Sequence, residues 1–142
     1  MKLTHVRVVT SDVPRLVSFY QDITGITPVI GSDDYVEIRT NAGTLAICSQ
    51  RSIDLYGAHA AVDAQNRSAI IEFQVDDVDI ERKRLKGFVS EFALEPTTQP
   101  WGNRSMLFRD PDGNLINFFA PVILIVRRFQ STSTCDYYTN VA

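Results

Sequence analysis

Hydrophobic and polar positions in the first fifty residues predict a strand, a helix and then three strands. Residues 2–10 alternate in character and contain β-branched valines, which favours a strand. Residues 12–24 place apolar side chains at helical spacing, after the N-cap candidates Ser11 and Asp12 and before the stop signal Gly25. Three further strands, separated by polar turns with glycine, are predicted at residues 27–30, 35–40 and 44–50.

The second half of the chain predicts the same order of elements. Residues 51–67 have no clear period and are expected to form a connecting arm, with room for one helical turn. A strand at 68–75 and a charged helix at 76–86, ending at Gly87, come next. The DPDGN segment at 110–114 has the chemistry of a tight turn, because proline restricts φ, aspartate bonds nearby N–H groups and glycine accepts positive φ. The last three strands are predicted at 88–94, 101–109 and 115–119, with a loop at 95–100.

The two halves repeat each other at an offset of about 65 residues. The segment around Val13 matches the segment around Val78, each with an acidic residue ahead of its helix. We therefore expect one domain over residues 1–121, made of modules at about 1–50 and 68–121 joined by the linker 51–67. One helix would cover one face of each strand set and leave the other face free to curve around a ligand.

Composition narrows the class of protein. The chain has 142 residues, of which 44% are hydrophobic, and this suits one globular domain. A net charge of −3 argues against a nucleic-acid partner, and the longest apolar run, 122–126, is too short to span a membrane. Cys48 and Cys135 lie far apart and the N-terminus lacks the apolar run of a signal peptide, so a cytoplasmic location is expected. Residues 122–142 are a C-terminal extension that could add an edge strand, cover an edge or reach a partner subunit.

Three segments resemble the vicinal oxygen chelate superfamily, which includes glyoxalase I, bleomycin resistance proteins and extradiol dioxygenases. They are residues 5–25 (HVRVVTSDVPRLVSFYQDITG), 70–79 (IIEFQVDDVD) and 99–119 (QPWGNRSMLFRDPDGNLINFF). The resemblance implies an α+β fold in which two βαβββ modules form a cupped mixed β-sheet with helices on the outer face. It also implies a ligand or metal inside the cup, and it makes a homodimer the expected assembly.

The metal site of the family does not carry over to this chain. Metal-dependent members use four inward-facing strand positions for histidine and glutamate, and the corresponding set here is His5, Ile47, Ile70 and Asn117. A catalytic metal needs about three protein donors, and isoleucine offers none. We therefore predict no metal and no cofactor. An altered metal site made of His5, Glu72 and Asn117 is the alternative.

The cup itself is the predicted ligand site. Its centre is apolar, Glu72 would favour a cationic group, and Arg104 could contact a ligand carboxylate or an aromatic ring. Trp101 is expected at the mouth of the cup, with packing between the modules as the alternative. The full set of predicted ligand-binding residues is His5, Arg7, Ile47, Ile70, Glu72, Trp101, Arg104, Asn117 and Phe119.

Two functions are compatible with this site. The first is a metal-independent small-molecule binding protein that holds an aromatic or partly cationic compound. The second is a glyoxalase- or dioxygenase-like enzyme, either metal-dependent at the altered His5/Glu72 site or a metal-free lyase or isomerase with His5 or Glu72 as the acid–base group. Expected partners are the small molecule and a second copy of the chain, because open sheets leave edges to cover. Neither nucleic acid nor a membrane is expected.

Overall fold

A computed structural model of the chain describes residues 1–57 and 60–122. The expected strand at 122–126 and the rest of the extension lie outside these residues, apart from Val122. None of the helices described has the length and hydrophobicity needed to cross a bilayer. In chain order the elements are β1 His5–Thr10, α1 Val13–Thr24, β2 Val29–Ser32, β3 Tyr35–Arg39, β4 Thr44–Ser49, α2 Gln50–Asp54, β5 Ile70–Gln74, α3 Val78–Leu85, β6 Phe92–Thr98, β7 Asn103–Arg109 and β8 Leu115–Pro121.

The strands form two four-stranded mixed sheets with the same topology. Sheet one has the order β1-β4-β3-β2 and sheet two has the order β5-β8-β7-β6. In each sheet the first pair is parallel and the other pairs are antiparallel. The predicted α+β class and the repeated βαβββ order are therefore confirmed. The predicted helical turn in the connecting arm is also present, as α2.

Helix α1 begins and ends at the residues that the sequence indicates. The Asp12 carboxylate accepts a hydrogen bond from the Arg15 N–H at 3.1 Å, and Pro14 occupies the first turn, where no backbone donor is needed. Gly25 has a φ of 69° and donates its N–H to the Gln21 carbonyl at 2.8 Å, which is a left-handed cap that favours glycine. The apolar positions then fall on one face, which covers sheet one.

The helix-covered faces of both sheets contribute to one hydrophobic core. The largest fully buried side chains include Tyr20 of α1 and the aromatic pair Phe108 and Phe118 of sheet two, whose ring centroids lie 5.2 Å apart. Because residues from both modules share this core, neither module buries its apolar face alone. The core is composed of Val8, Val13, Leu16, Tyr20, Ile23, Val36, Ile38, Leu45, Ile47, Val78, Leu85, Val89, Met106, Phe108, Ile116 and Phe118.

The DPDGN turn connects sheet two to α1. One oxygen of the buried Asp110 carboxylate accepts N–H groups of Asp112 and Asn114 at 3.0 and 2.8 Å, which closes the turn. Its other oxygen accepts the Tyr20 hydroxyl at 2.9 Å, and Arg15 contacts Asp112 at 2.5 Å. Burial, followed by the negative charge of Asp110, raises the pKa of Tyr20 well above its usual value. The turn predicted from local chemistry therefore also holds the two modules together.

Strand β6 lies later in the chain than predicted. The sequence indicated a strand at 88–94 and a loop at 95–100, whereas the strand spans Phe92–Thr98. Phe88 and Val89 instead donate their N–H groups to the Leu85 carbonyl, so they complete the end of α3. Pro96 fits within β6 because this strand is at the sheet edge and its pairing with β7 is irregular between Leu94 and Thr97.

Candidate functional site

Each sheet has a face opposite the one that α1 or α3 covers, and we call these two surfaces the open faces. On sheet one the short helix α2 lies against part of this face, where Ser52 contacts Cys48. Strand pairing and alternation assign residues to the open faces, because side chains paired across neighbouring strands point to the same side of a sheet. The open face of sheet one carries His5, Arg7, Val9, Tyr35, Glu37, Arg39, Thr44, Ala46 and Cys48. The open face of sheet two carries Ile70, Glu72, Gln74, Asn103, Ser105, Leu107, Arg109, Leu115, Asn117, Phe119 and Pro121.

Ile47 does not lie on the open face of sheet one. This corrects the prediction that Ile47 lines the cup. Its side chain has 0% exposure and lies on the helix-covered face, where Val8 and Val36 are its cross-strand neighbours. The error arises from counting positions after glycine in each module. Gly43 directly precedes β4, whereas one residue separates Gly113 from β8, and a shift of one position reverses the face of a strand.

The strand register identifies the true counterpart of Asn117. Arg7 pairs with Ala46 across β1 and β4, and Glu72 pairs with Asn117 across β5 and β8. Because the two sheets share one topology, Ala46 corresponds to Asn117 and Arg7 corresponds to Glu72. Equivalent positions of the two modules therefore carry opposite charges. The four positions that correspond to family metal ligands become His5, Ala46, Ile70 and Asn117.

These four residues do not fit a transition-metal site. They supply one imidazole, one amide and two aliphatic side chains, and a catalytic metal needs about three protein donors. His5 Nε2 and the Glu37 carboxylate, 3.7 Å apart, form a pair of potential donors. Within residues 1–57 and 60–122, no group of three or more histidine, cysteine, aspartate or glutamate side chains could hold a metal ion. The chemistry of the open faces is therefore that of hydrogen bonding and charge.

Glu37 is the centre of a polar cluster on sheet one. One of its oxygens accepts the Tyr35 hydroxyl at 2.8 Å, and the other accepts Nε of Arg39 at 2.6 Å. These two hydrogen bonds lower the pKa of Glu37, and the bond to Glu37 raises the pKa of Tyr35. The charges of Glu37 and Arg39 on this face are therefore paired. Glu37 remains a carboxylate at neutral pH, close to the ring of His5.

Arg7 lies between two tyrosines. Its guanidinium carbon is over the Tyr35 ring at 5.2 Å from the centroid, and it lies 6.0 Å from the centroid of Tyr56. Nη1 of Arg7 donates to the Tyr56 hydroxyl at 3.4 Å, and this contact is the main cause that raises the pKa of Arg7. Tyr56 follows α2 in the connecting arm, a segment without periodicity, so sequence reasoning had no signal that would place it here.

The open face of sheet two combines the Glu72 carboxylate and, at the end of β7, the Arg109 guanidinium with apolar surface. Nδ2 of Asn117 donates to the Glu72 carboxylate at 2.8 Å, while Oδ1 of Asn117 is buried without a hydrogen-bond partner in the part of the chain that the structure describes. Ile70 is 50% exposed beside them. A cleft of about 360 Å³ between β1, the turn before β4 and β5 is lined in part by His5, Ile70 and Glu72. The structure therefore brings three predicted site residues from different modules together.

One predicted residue lies on the other face of its sheet. Arg104 sits on the helix-covered side of sheet two, and its Nε and Nη2 contact the Asp79 carboxylate of α3 at 2.5 and 2.7 Å. Its side chain is therefore committed to an ion pair and does not face the cup, which corrects the prediction. Trp101 is in the turn between β6 and β7 and is 72% exposed, so it is not packed between the modules within this chain. Phe119 lies on the open face, opposite Ser105.

Comparisons with known proteins agree with this architecture. The family model described as the Glyoxalase/Bleomycin resistance protein/Dioxygenase superfamily matches residues 2–118. A comparison with curated proteins gave no match.

Solved structures with the same fold come from several bacteria. A glyoxalase/bleomycin resistance protein/dioxygenase from Nocardioides is 22% identical, with 87% of this chain and 85% of that chain covered and a TM-score of 0.72. A family enzyme of the same description from Burkholderia phytofirmans PsJN is 16% identical, with 84% and 98% covered and a TM-score of 0.74. A protein of unknown function from Agrobacterium tumefaciens str. C58 is 26% identical, with 86% and 95% covered and a TM-score of 0.73.

Proposed function

Because the chain belongs to the glyoxalase/bleomycin resistance protein/dioxygenase superfamily, we propose that it is a metal-independent binding protein for a small aromatic or partly cationic compound. One observation carries the proposal. The four positions equivalent to family metal ligands are His5, Ala46, Ile70 and Asn117, which provide too few donors for a catalytic metal. His5, Ile70 and Asn117 are at least partly exposed or line the cleft. These positions therefore offer a surface for an organic ligand in place of a metal centre.

The side chains on sheet two support the choice of ligand. Ile70 offers exposed apolar surface, and Phe119 adds an aromatic ring on the same open face. The Glu72 carboxylate has one amide partner, Asn117, and among the described residues it makes no ion pair. A charged hydrogen bond to a ligand ammonium group would therefore satisfy it. A flat ring with a cationic substituent matches this combination of surfaces.

Calorimetric titration with naphthylmethylammonium and its neutral alcohol analogue tests this proposal. We expect the wild-type protein to bind both and to prefer the cation. Glu72→Gln should weaken cation binding by about 10-fold while leaving the alcohol unchanged, because one charge-assisted contact is lost. Glu95→Gln is the matched control, since Glu95 pairs with Arg82 of α3. The absence of binding to either compound would contradict the proposed function.

Metal content provides a separate test. Protein purified without chelator should contain well below one zinc, nickel or iron ion per chain after dialysis. The protein's thermal stability should not change when these metals are added. One equivalent of metal that survives dialysis, and that His5→Ala removes, would show that the altered metal site is the correct alternative.

A metal-free enzyme is the second candidate, and the contact between His5 and Glu37 favours it. Nε2 of His5 lies 3.7 Å from the Glu37 carboxylate, whose pKa is lowered by its hydrogen bonds to Tyr35 and Arg39. Such a pair can donate or accept a proton at a bound substrate. Turnover of a bound compound that His5→Gln abolishes, with unchanged binding affinity, would establish this activity in place of simple binding.

We also propose that the protein forms a homodimer and acts in the cytoplasm. Strands β2 and β6 form the edges of the two sheets away from the cleft, and Val29 and Ile30 on β2 are exposed. A second copy that covers these edges would bury this apolar surface. Light scattering at micromolar concentration should give twice the 16.0 kDa of the chain, and a monomer mass would contradict the dimer. The free, buried thiol of Cys48 is compatible with a reducing compartment.

A further inference from the structure

Arg7 differs from the other arginines of the described residues in what its guanidinium contacts. Two arginines, Arg67 and Arg109, donate to main-chain carbonyls at 2.8 Å. Arg7 contacts only tyrosines. Six arginines contact a carboxylate at 2.5–2.7 Å, and these are Arg15, Arg39, Arg51, Arg82, Arg84 and Arg104. A positive charge is thus left without an anion on the open face of sheet one.

The neighbouring acidic groups are not available to Arg7. Both oxygens of Glu37 are occupied, one by the Tyr35 hydroxyl and the other by Arg39. The Cys48 thiol on the same face is buried, and burial raises its pKa, so it carries no negative charge at neutral pH. The charge of Arg7 is therefore not neutralised by the side chains around it.

The tyrosines also hold the guanidinium in place. The rings of Tyr35 and Tyr56 lie 5.2 and 6.0 Å from its carbon, and the Tyr56 hydroxyl takes one of its N–H groups. A guanidinium has five N–H donors in a planar fork, so most of them remain free. A planar fork that is already positioned matches the two oxygens of a carboxylate.

We infer that Arg7 binds the carboxylate of a planar aromatic ligand on the open face of sheet one. The inference rests on the proposed binding function and adds a carboxylate to the aromatic ring of its ligand. Tyr35 and Tyr56 supply the ring surfaces beside the charge. Glu72 occupies the equivalent position in the second module, so the two modules carry opposite charges at matching positions.

Calorimetric titration of the full chain with naphthoate, naphthamide and naphthylmethylammonium tests this assignment. The three probes share one ring system and differ in the charge of one substituent. We expect the wild-type protein to bind naphthoate about 10-fold more tightly than naphthamide, as one charge-assisted contact allows. Equal affinities for these two probes would overturn the assignment of Arg7, and this comparison requires no variant.

Variants then identify the residue responsible. Arg7→Gln should reduce the ratio of naphthamide to naphthoate dissociation constants to about one, and Arg7→Lys should retain an intermediate ratio, because lysine keeps the charge without the planar fork. Arg82→Gln is the matched control, because Arg82 also lies over an aromatic ring, that of Phe92 at 3.8 Å. Unlike Arg7, it lies on helix α3 and pairs with Glu95 of β6. This variant should keep the wild-type ratio.

The outcomes distinguish the role of Arg7 from the proposed binding function. Binding of naphthylmethylammonium and naphthamide without a preference for naphthoate would refute the role of Arg7 and leave the binding function standing. An unchanged preference for naphthoate in Arg7→Gln would refute it as well. If none of the three probes binds the wild-type protein, the proposed function fails together with this inference.

Discussion

The hydroxyl of Tyr20 should stabilise the fold because it joins α1 to the DPDGN turn. Tyr20 has 0% exposure and donates to the Asp110 carboxylate at 2.9 Å, across the boundary between the modules. Hydrogen bonds to charged groups contribute about 1.5–3 kcal/mol. Nδ2 of Asn114 also donates to the same carboxylate oxygen, at 2.7 Å, so Asp110 keeps a partner in Tyr20→Phe. We therefore expect the free energy of unfolding to fall by about 1.5 kcal/mol, the lower end of this range.

The pH dependence gives this prediction a second readout. The pKa of Tyr20 is raised in the folded protein relative to a value of about 10 in the unfolded chain. The stabilisation by the Tyr20 hydroxyl is therefore fully present below a pH of about 10. It decreases as the pH rises above this value toward the pKa of Tyr20 in the folded protein, because the tyrosine of the unfolded chain loses its proton first. The difference in stability between wild type and Tyr20→Phe should accordingly shrink above this pH.

Both effects are measured by urea unfolding monitored by circular dichroism. The experiment is done at neutral pH and at several pH values above about 10. Tyr56→Phe is the control, since Tyr56 is largely exposed and should change the free energy of unfolding by less than about 0.5 kcal/mol. A loss below this value for Tyr20→Phe would refute the reasoning. A difference that stays constant through the alkaline range would refute the assigned cause.

Three further predictions concern the core, the Arg104 ion pair and the DPDGN turn. Ile47→Ala should lower the free energy of unfolding in urea by about 2–4 kcal/mol, because it opens a cavity in the core. Ile70→Ala should lower it by less than about 1 kcal/mol, because Ile70 is half exposed. Arg104→Gln should leave calorimetric affinities for all naphthyl probes unchanged, because its partner is Asp79; a loss of affinity would place it at the ligand. Gly113→Ala should lower the melting temperature, because φ is 85° there, and an unchanged value would show that the turn relaxes freely.

The sequence determined the features that depend on residues close to one another in the chain. The caps of α1 at Asp12 and Gly25, and the turn at 110–114, follow from side-chain and backbone chemistry within a few residues, and they occur where they were predicted. The repeat at an offset of about 65 residues was visible for the same reason, since each module carries its own copy of these local signals. These signals gave the repeated order of elements, and the resemblance to the vicinal oxygen chelate superfamily implied the α+β fold class.

Tertiary structure decided which side chains share an open face and which partners they find. Counting from a glycine placed Ile47 in the cup, but only the pairing of β4 with its neighbours shows that Ala46 faces there, since a shift of one residue exchanges the two faces. Arg104 lies in a strand pattern that cannot indicate its ion pair with Asp79, 25 residues away. Tyr56 approaches Arg7 from a segment without periodicity, 49 residues along the chain. Contacts of this kind depend on how the modules pack, and packing is a property of the whole chain that local patterns do not encode.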